Sequence, residues 1–233
     1  MFKFGICASL APQTIEQLER DSALALRTGA DFIEIRFDYL DRAEFEASLK
    51  LTESFKSRSV FTLRSKAQGG RFEGDEEERI SMLQAMAGVK PMLLDIELDA
   101  LESSDILADL AEKSNTRILV SWHDFEKTPA AESLFNVLTR MRVFGNHVKI
   151  VTMAQSTEDS LSLLRLYDVA SGLYPIFFAM GVHGVLSRVL CTIIGYAPFT
   201  YASLGDAVAP GQLTVKQMRE IYLKIENGMA RLT

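Results

Sequence analysis

Cysteine is scarce in this chain, and several common functional signatures are missing altogether. Its 233 residues contain two cysteines, Cys7 and Cys191. Both lie in apolar surroundings (FGICAS and RVLCTII), which points to buried thiols in a reducing, cytoplasmic setting and not to a disulfide. There is no CxxC pair and no HExxH, so nothing suggests a metal site. No GxGxxG follows the first apolar run, where ASLAPQ stands instead, and this weakens a dinucleotide-binding reading. No apolar run approaches the roughly 20 residues that span a bilayer, and the N-terminal run is too short for a signal peptide. A soluble protein with no membrane partner is expected. Pro/Gly/Ser-rich linkers, low-complexity tracts and close repeats are absent. The net charge of −6 argues against a nucleic-acid partner.

What is present is a regular alternation. Hydrophobic residues make up 48% of the chain, enough for a sizeable core, and charged residues 24%. Short β-like runs recur at 4–9, 32–37, 60–64, 92–98, 118–123, 148–153, 175–180 and 199–202, the last being the shortest. Helical patterns lie between them, among them 14–28, 76–87, 130–144, 157–170 and 215–225. Gly29, Gly88, Gly145 and Gly172 follow four of these and are expected to end them in the left-handed conformation. The acidic run GDEEER is expected to open the third helix, where carboxylates complement the helix N-terminus. Eight strand–helix units with no linker predict an α/β fold, a single (β/α)8 barrel forming one domain over residues 1–233. In such barrels active sites form at the C-terminal ends of the strands.

Polar residues gather at those ends. Period-two alternation puts Glu34, Arg36 and Asp38 on one face of the second strand, with Ile33, Ile35 and Phe37 on the other. The same parity points Thr62 and Arg64, Asp95 and Glu97, and Ser121 and His123 inward on the next three strands. On the sixth strand Lys149 sits inside the apolar run VKIVTM. Low-dielectric surroundings there would lower its pKa and leave a nucleophilic amine, with His123 near enough to move protons. The structural alternative is that Lys149 snorkels to solvent and His123 is a satisfied strand-end histidine. Charges of inward parity on four neighbouring strands favour a network built for a polar ligand. Arg188 follows the seventh strand, and Gly205, Pro210 and Gly211 mark a loop long enough to act as a lid, with Gln212 at its end. Arg36, Arg64 and Arg188 together predict a locally positive pocket for a small carboxylate or phosphate.

These motifs resemble type I 3-dehydroquinate dehydratase over essentially the whole chain. EIRFD at 34–38, TLRS at 62–65, SWHDF at 121–125, VKI at 148–150, MGVHGVLSR at 180–188 and APGQ at 209–212 stand in the family's order. The resemblance implies that Lys149 forms an imine with the C3 ketone of 3-dehydroquinate. It implies that His123 takes the C2 proton and then assists departure of the C1 hydroxyl. Arg188 would hold the substrate carboxylate and Gln212 would close over it. Glu34, Arg36 and Arg64 would bind ring hydroxyls, with Ser9 a further contact and Met180 an apolar wall. No metal, no diffusible cofactor and a homodimer are also implied. The chain departs from the family twice: Gln68 stands where many members carry a glutamate beside the catalytic histidine, and Val208 where many carry serine. Some relatives are fused to a shikimate dehydrogenase, whereas this chain is expected to be monofunctional. Neither His147 nor His183 is assigned a catalytic role. The competing readings are a class I Schiff-base aldolase and a catalytically inactive metabolite-binding barrel.

Overall fold

Inward and outward parity along the strands decides the layering. The computed structural model describes residues 4–205 and 209–230. Eight strands, β1 (Ile6–Leu10), β2 (Phe32–Arg36), β3 (Ser59–Thr62), β4 (Leu93–Glu97), β5 (Ile118–Asp124), β6 (His147–Met153), β7 (Tyr174–Met180) and β8 (Thr200–Ser203), form one sheet. Every adjacent pair is parallel, in the order β7-β6-β5-β4-β3-β2-β1-β8. The sheet curls into the expected (β/α)8 barrel, nearly closed. Among the described residues no ladder joins β7 to β8. Side chains and a loop bridge that seam: the rings of Phe178 and Tyr201 lie 5.9 Å apart, and Gly181 N–H donates to the Pro210 carbonyl at 3.0 Å.

The helices are α1 (Ile15–Thr28), α2 (Phe45–Thr52), α3 (Glu76–Val89), α4 (Leu98–Ser103), α5 (Asp105–Lys113), α6 (Ala131–Met141), α7 (Thr157–Arg165), α8 (Val185–Leu190) and α9 (Val215–Ala230). Local chemistry starts them. Thr14 caps α1 by accepting from Gln17 N–H, and Ser156 and Asp159 form a capping box on α7. Asp75 accepts from Glu78 N–H at the start of α3, whose first turn carries Glu76, Glu77 and Glu78, as the acidic run predicts. The glycine stops fare less well. Gly29 takes φ 107° as the C-cap of α1, but α3 runs past Gly88 and ends at Lys90, itself left-handed at φ 59°. Gly145 keeps an ordinary φ, and Gly172, though left-handed, lies several residues beyond α7.

Outward strand residues such as Ile33, Ile35 and Phe61 pack against Leu18, Leu83, Leu138 and Met218 from the helices, making the main core. Inward residues Cys7, Val60, Leu93, Leu119, Ile176 and Phe199 fill the lower half of the barrel. Both cysteines are buried and unpaired. Among the described residues no helix is long and apolar enough to cross a membrane. Strand register then brings the polar inward residues level with one another at the other end. Ser9 stands opposite Glu34, Thr62 opposite Asp95, and Ser121 between Glu97 and Lys149.

Leu83, fully buried on α3, reports on the helix–sheet core. Leu83→Ala is expected to lower stability by about 2–5 kcal/mol in urea denaturation while leaving the polar end of the barrel unaltered.

Candidate active site

The polar end of the barrel is held by a chain of buried charges. Lys149, on β6, is 3% exposed. Its Nζ donates to Asp95 Oδ2 at 2.5 Å, lies 3.6 Å from Glu34 Oε1, and sits 4.9 Å from the centre of the Tyr201 ring. The expectation of apolar, low-dielectric surroundings is therefore corrected. Lys149 is buried, but its neighbours are two carboxylates and an aromatic face, because β2 and β4 turn their acids to the same level. Asp95 also accepts from Ser121 Oγ at 2.6 Å and from Arg64 at 2.8 Å. Burial alone would raise its pKa, but Arg64 and Lys149 hold the carboxyl well below the usual range. Arg64 approaches Glu97 at 3.4 Å, and Arg79 reaches the same carboxylate from α3.

His123 stands near the end of β5. Its Nδ1 is sealed from solvent with no hydrogen-bond partner, and its ring lies nearly parallel to Phe125, 5.7 Å away at 11°. Burial, and after it the positive charges of Arg64 and Lys149, push the imidazole well below its ordinary value of 6.5. The ring is therefore neutral at neutral pH and able to accept a proton. Gln68 Nε2 donates to Asp99 at 2.9 Å, while its Oε1 is buried without a partner. A glutamate at this position would set two carboxylates against each other, so Asp99 accounts for the amide.

The arginines divide. Arg36 is gripped by Asp38 through bonds of 2.8 and 2.7 Å. Asp38 does not share the inward face of β2 as its parity suggested. It lies beyond the strand end and pins two loops by accepting from Arg64 N–H and Arg71 N–H. Arg188, on α8, is 1% exposed. The ring of Phe178 lies 4.5 Å from its guanidinium, its Nε is sealed without a partner, and no carboxylate among the described residues pairs with it. Burial lowers it to about 10, so it keeps its charge at neutral pH. Of three arginines expected to make the pocket positive, two are neutralised, and Arg188 is the one with no carboxylate partner among the described residues.

One cavity, about 620 Å³ counting its open mouth, collects Ser9, Glu34, Arg36, Arg64, Gln68, His123, Lys149, Met180, Arg188 and Gln212. Ser9 Oγ donates to Glu34 Oε2 at 2.8 Å, and Thr62 Oγ1 donates to Glu34 Oε1 at 3.1 Å. Gln212 Oε1 accepts from Ala209 N–H at 3.3 Å, and Gly211 packs so closely on Gly181 that a Cβ would lie 2.2 Å from its carbonyl oxygen. The end of the lid loop is thus docked on β7; Val208 lies outside the described residues. His183 is exposed, and His147 opens β6 half-buried against Tyr174; neither lines the cavity. Sequence reasoning left out Tyr201, Phe178 and Phe125, which also line it. Inward parity on β7 and β8 could have found the first two, but nothing local marks Phe125. Among the described residues no group of His, Cys, Asp and Glu could hold a metal.

The family model for type I 3-dehydroquinase matches residues 6–228. A 3-dehydroquinate dehydratase of Dehalococcoides mccartyi is 37% identical over 214 residues, 91% of this chain and 93% of the relative. One from Methanopyrus kandleri is 35% identical over 93% of this chain and 97% of its own. Among solved structures, the 3-dehydroquinate dehydratase of Geobacillus kaustophilus superposes with a TM-score of 0.85 at 26% identity, covering 97% of this chain and 92% of that one.

Two outcomes follow from the charge chain. Asp95→Asn leaves Arg64 and Lys149 buried without their shared carboxylate, and a loss of about 3–5 kcal/mol is expected in denaturant titration. Gln68→Glu in an Asp99→Asn background adds a carboxylate beside the cavity wall. The His123 pKa read by NMR titration is expected to rise, since a negative neighbour favours imidazolium. An unchanged pKa would show that Gln68 does not govern the ring's charge.

Proposed function

The chain belongs to the type I 3-dehydroquinase family and shares the activity of its relatives. From that premise we propose that it removes water from 3-dehydroquinate through an imine on Lys149, with His123 moving the protons. The observation that carries the reading is the convergence on one cavity of Lys149, His123 and an Arg188 that has no carboxylate partner among the described residues.

Arg188 takes the substrate carboxylate, a charge-assisted contact that no carboxylate among the described residues occupies. The ring then lies against Met180 and Phe178, with its hydroxyls toward Ser9, Glu34, Arg36 and Arg64 and with Gln212 over it. The Lys149 ammonium yields a proton to His123, the freed amine adds to the C3 carbonyl, and the carbonyl oxygen leaves as water with that proton returned and one from nitrogen, giving the iminium. Positive charge then sits where the ammonium sat, so Asp95, Glu34 and the Tyr201 face stabilise it without rearrangement. An iminium is a better electron sink than a ketone, so the C2 proton becomes removable by a neutral imidazole. His123 takes that proton through Nε2, and the electron pair forms the enamine. The enamine expels the C1 hydroxyl as His123 returns the proton to it, and the leaving group departs as water. Addition of water to the iminium then frees 3-dehydroshikimate and restores Lys149. No metal and no diffusible cofactor takes part. A single barrel as the catalytic unit, a homodimer and a cytoplasmic setting complete the proposal.

Incubation with 3-dehydroquinate and borohydride is expected to add the reduced ligand's mass at Lys149. Lys149→Ala should lose both adduct and turnover, and His123→Ala should lower kcat about 10²–10⁴-fold. Turnover with no added mass sinks the imine mechanism, and products of carbon–carbon cleavage would select the aldolase.

A further inference from the structure

Most cations that line the barrel mouth already have a carboxylate. Arg36 holds Asp38, Arg64 and Lys149 share Asp95, Arg42 pairs with Glu78, and Lys66 lies 2.6 Å from Glu73. Arg188 and Arg71 have none among the described residues, and each rests on an aromatic face instead. Arg188 lies 4.5 Å from the Phe178 ring inside the active-site cavity, and Arg71 lies 4.5 Å from the Tyr39 ring outside it. Arg71 is exposed, yet its place is fixed. Its N–H donates at 3.0 Å to Asp38, the buried carboxylate that also grips Arg36. An outer cleft, about 1220 Å³ counting its open side, runs from Arg71 and Tyr39 to Ser9, which also lines the active-site cavity. Arg71 is the one cation on the wall of this cleft among the described residues. The one carboxylate there, Asp21, lies 3.4 Å from Arg20.

We propose that Arg71 is an outer capture site for the substrate carboxylate, from which the anion passes across Ser9 to Arg188. This rests on the substrate being the small carboxylate of the proposed function. A chain of net charge −6 repels such an anion at long range, and Arg188, 1% exposed, meets it only once it is inside. Tyr39 covers one face of the Arg71 guanidinium, whose N–H edge has no hydrogen-bond partner among the described residues and can take a carboxylate through two parallel bonds. The contact is exposed and released when the anion reaches Arg188. It therefore speeds arrival and adds nothing to retention.

NMR line-shape titration with 3-dehydroquinate, on the full chain carrying Lys149→Ala to stop turnover, reads association and dissociation rates separately. At about 0.01 M salt, where screening extends over about 30 Å, adding Arg71→Gln is expected to slow association about three- to fivefold. Arg71→Glu should slow it about tenfold, and dissociation should be unchanged in both. At about 1 M salt the rates should converge. Arg71→Lys should keep most of the rate, and Lys66→Gln, which removes the same charge from a paired residue nearby, should match the parent. Unaltered association in Arg71→Gln overturns the proposal, as does a change confined to dissociation or an equal slowing in Lys66→Gln. If the parent itself does not bind 3-dehydroquinate, the reading of the substrate is wrong and the capture site falls with it.

Discussion

The ion pair between Lys149 and Asp95 is the contact on which the rest of the site depends. An amine 3% exposed inside a barrel is tolerated because a carboxylate lies 2.5 Å away, and that carboxylate is tolerated because Arg64 binds its other oxygen. Glu97 then answers Arg64, and Arg79 enters from α3 to answer Glu97. The chain therefore runs from an outer helix to the bottom of the cavity with each charge matched. The matching matters for chemistry as well as stability. In the proposed mechanism the iminium keeps the positive charge at Nζ, so an environment that holds the ammonium also suits the intermediate.

Against that compensated background, what lacks a partner stands out. Arg188 is sealed under Phe178 with no carboxylate partner among the described residues, which suits its proposed role of binding an anionic substrate. His123 is held neutral by burial and by the same cations that fix Asp95. One set of charges thus keeps a carboxylate ionised and an imidazole uncharged, the pairing of states that proton abstraction beside an iminium needs. The lid contributes by backbone fit: Gly211 on Gly181 and Pro210 bonded to Gly181 hold Gln212 over the cavity.

Much of this was legible in the residues. Alternation at period two located all eight strands, and parity put Glu34, Asp95, Glu97, Ser121, His123 and Lys149 on the inner face where the structure has them. Parity failed at Asp38, because β2 ends at Arg36 and the chain turns before the next inward position. Glycine signals failed at Gly88, which α3 runs past to end at Lys90, and at Gly145, which lies beyond the end of α6. The resemblance flagged Gln68 as a departure, yet its partner Asp99 is 31 positions away and could not be read locally.

The sequence by itself determined the barrel and the direction in which the strand residues face, because periodicity and facing are local properties of the backbone. Only the tertiary structure decided which charges cancel. Arg36, Arg64 and Arg188 look alike in sequence, but strand register and helix packing give Asp38 to the first, Asp95 and Glu97 to the second, and no carboxylate among the described residues to the third. Lys149 likewise reads as a lysine in apolar company until the barrel curls β2 and β4 around to meet it. Pairing depends on distances between residues far apart in the chain, and those exist only once the sheet has closed.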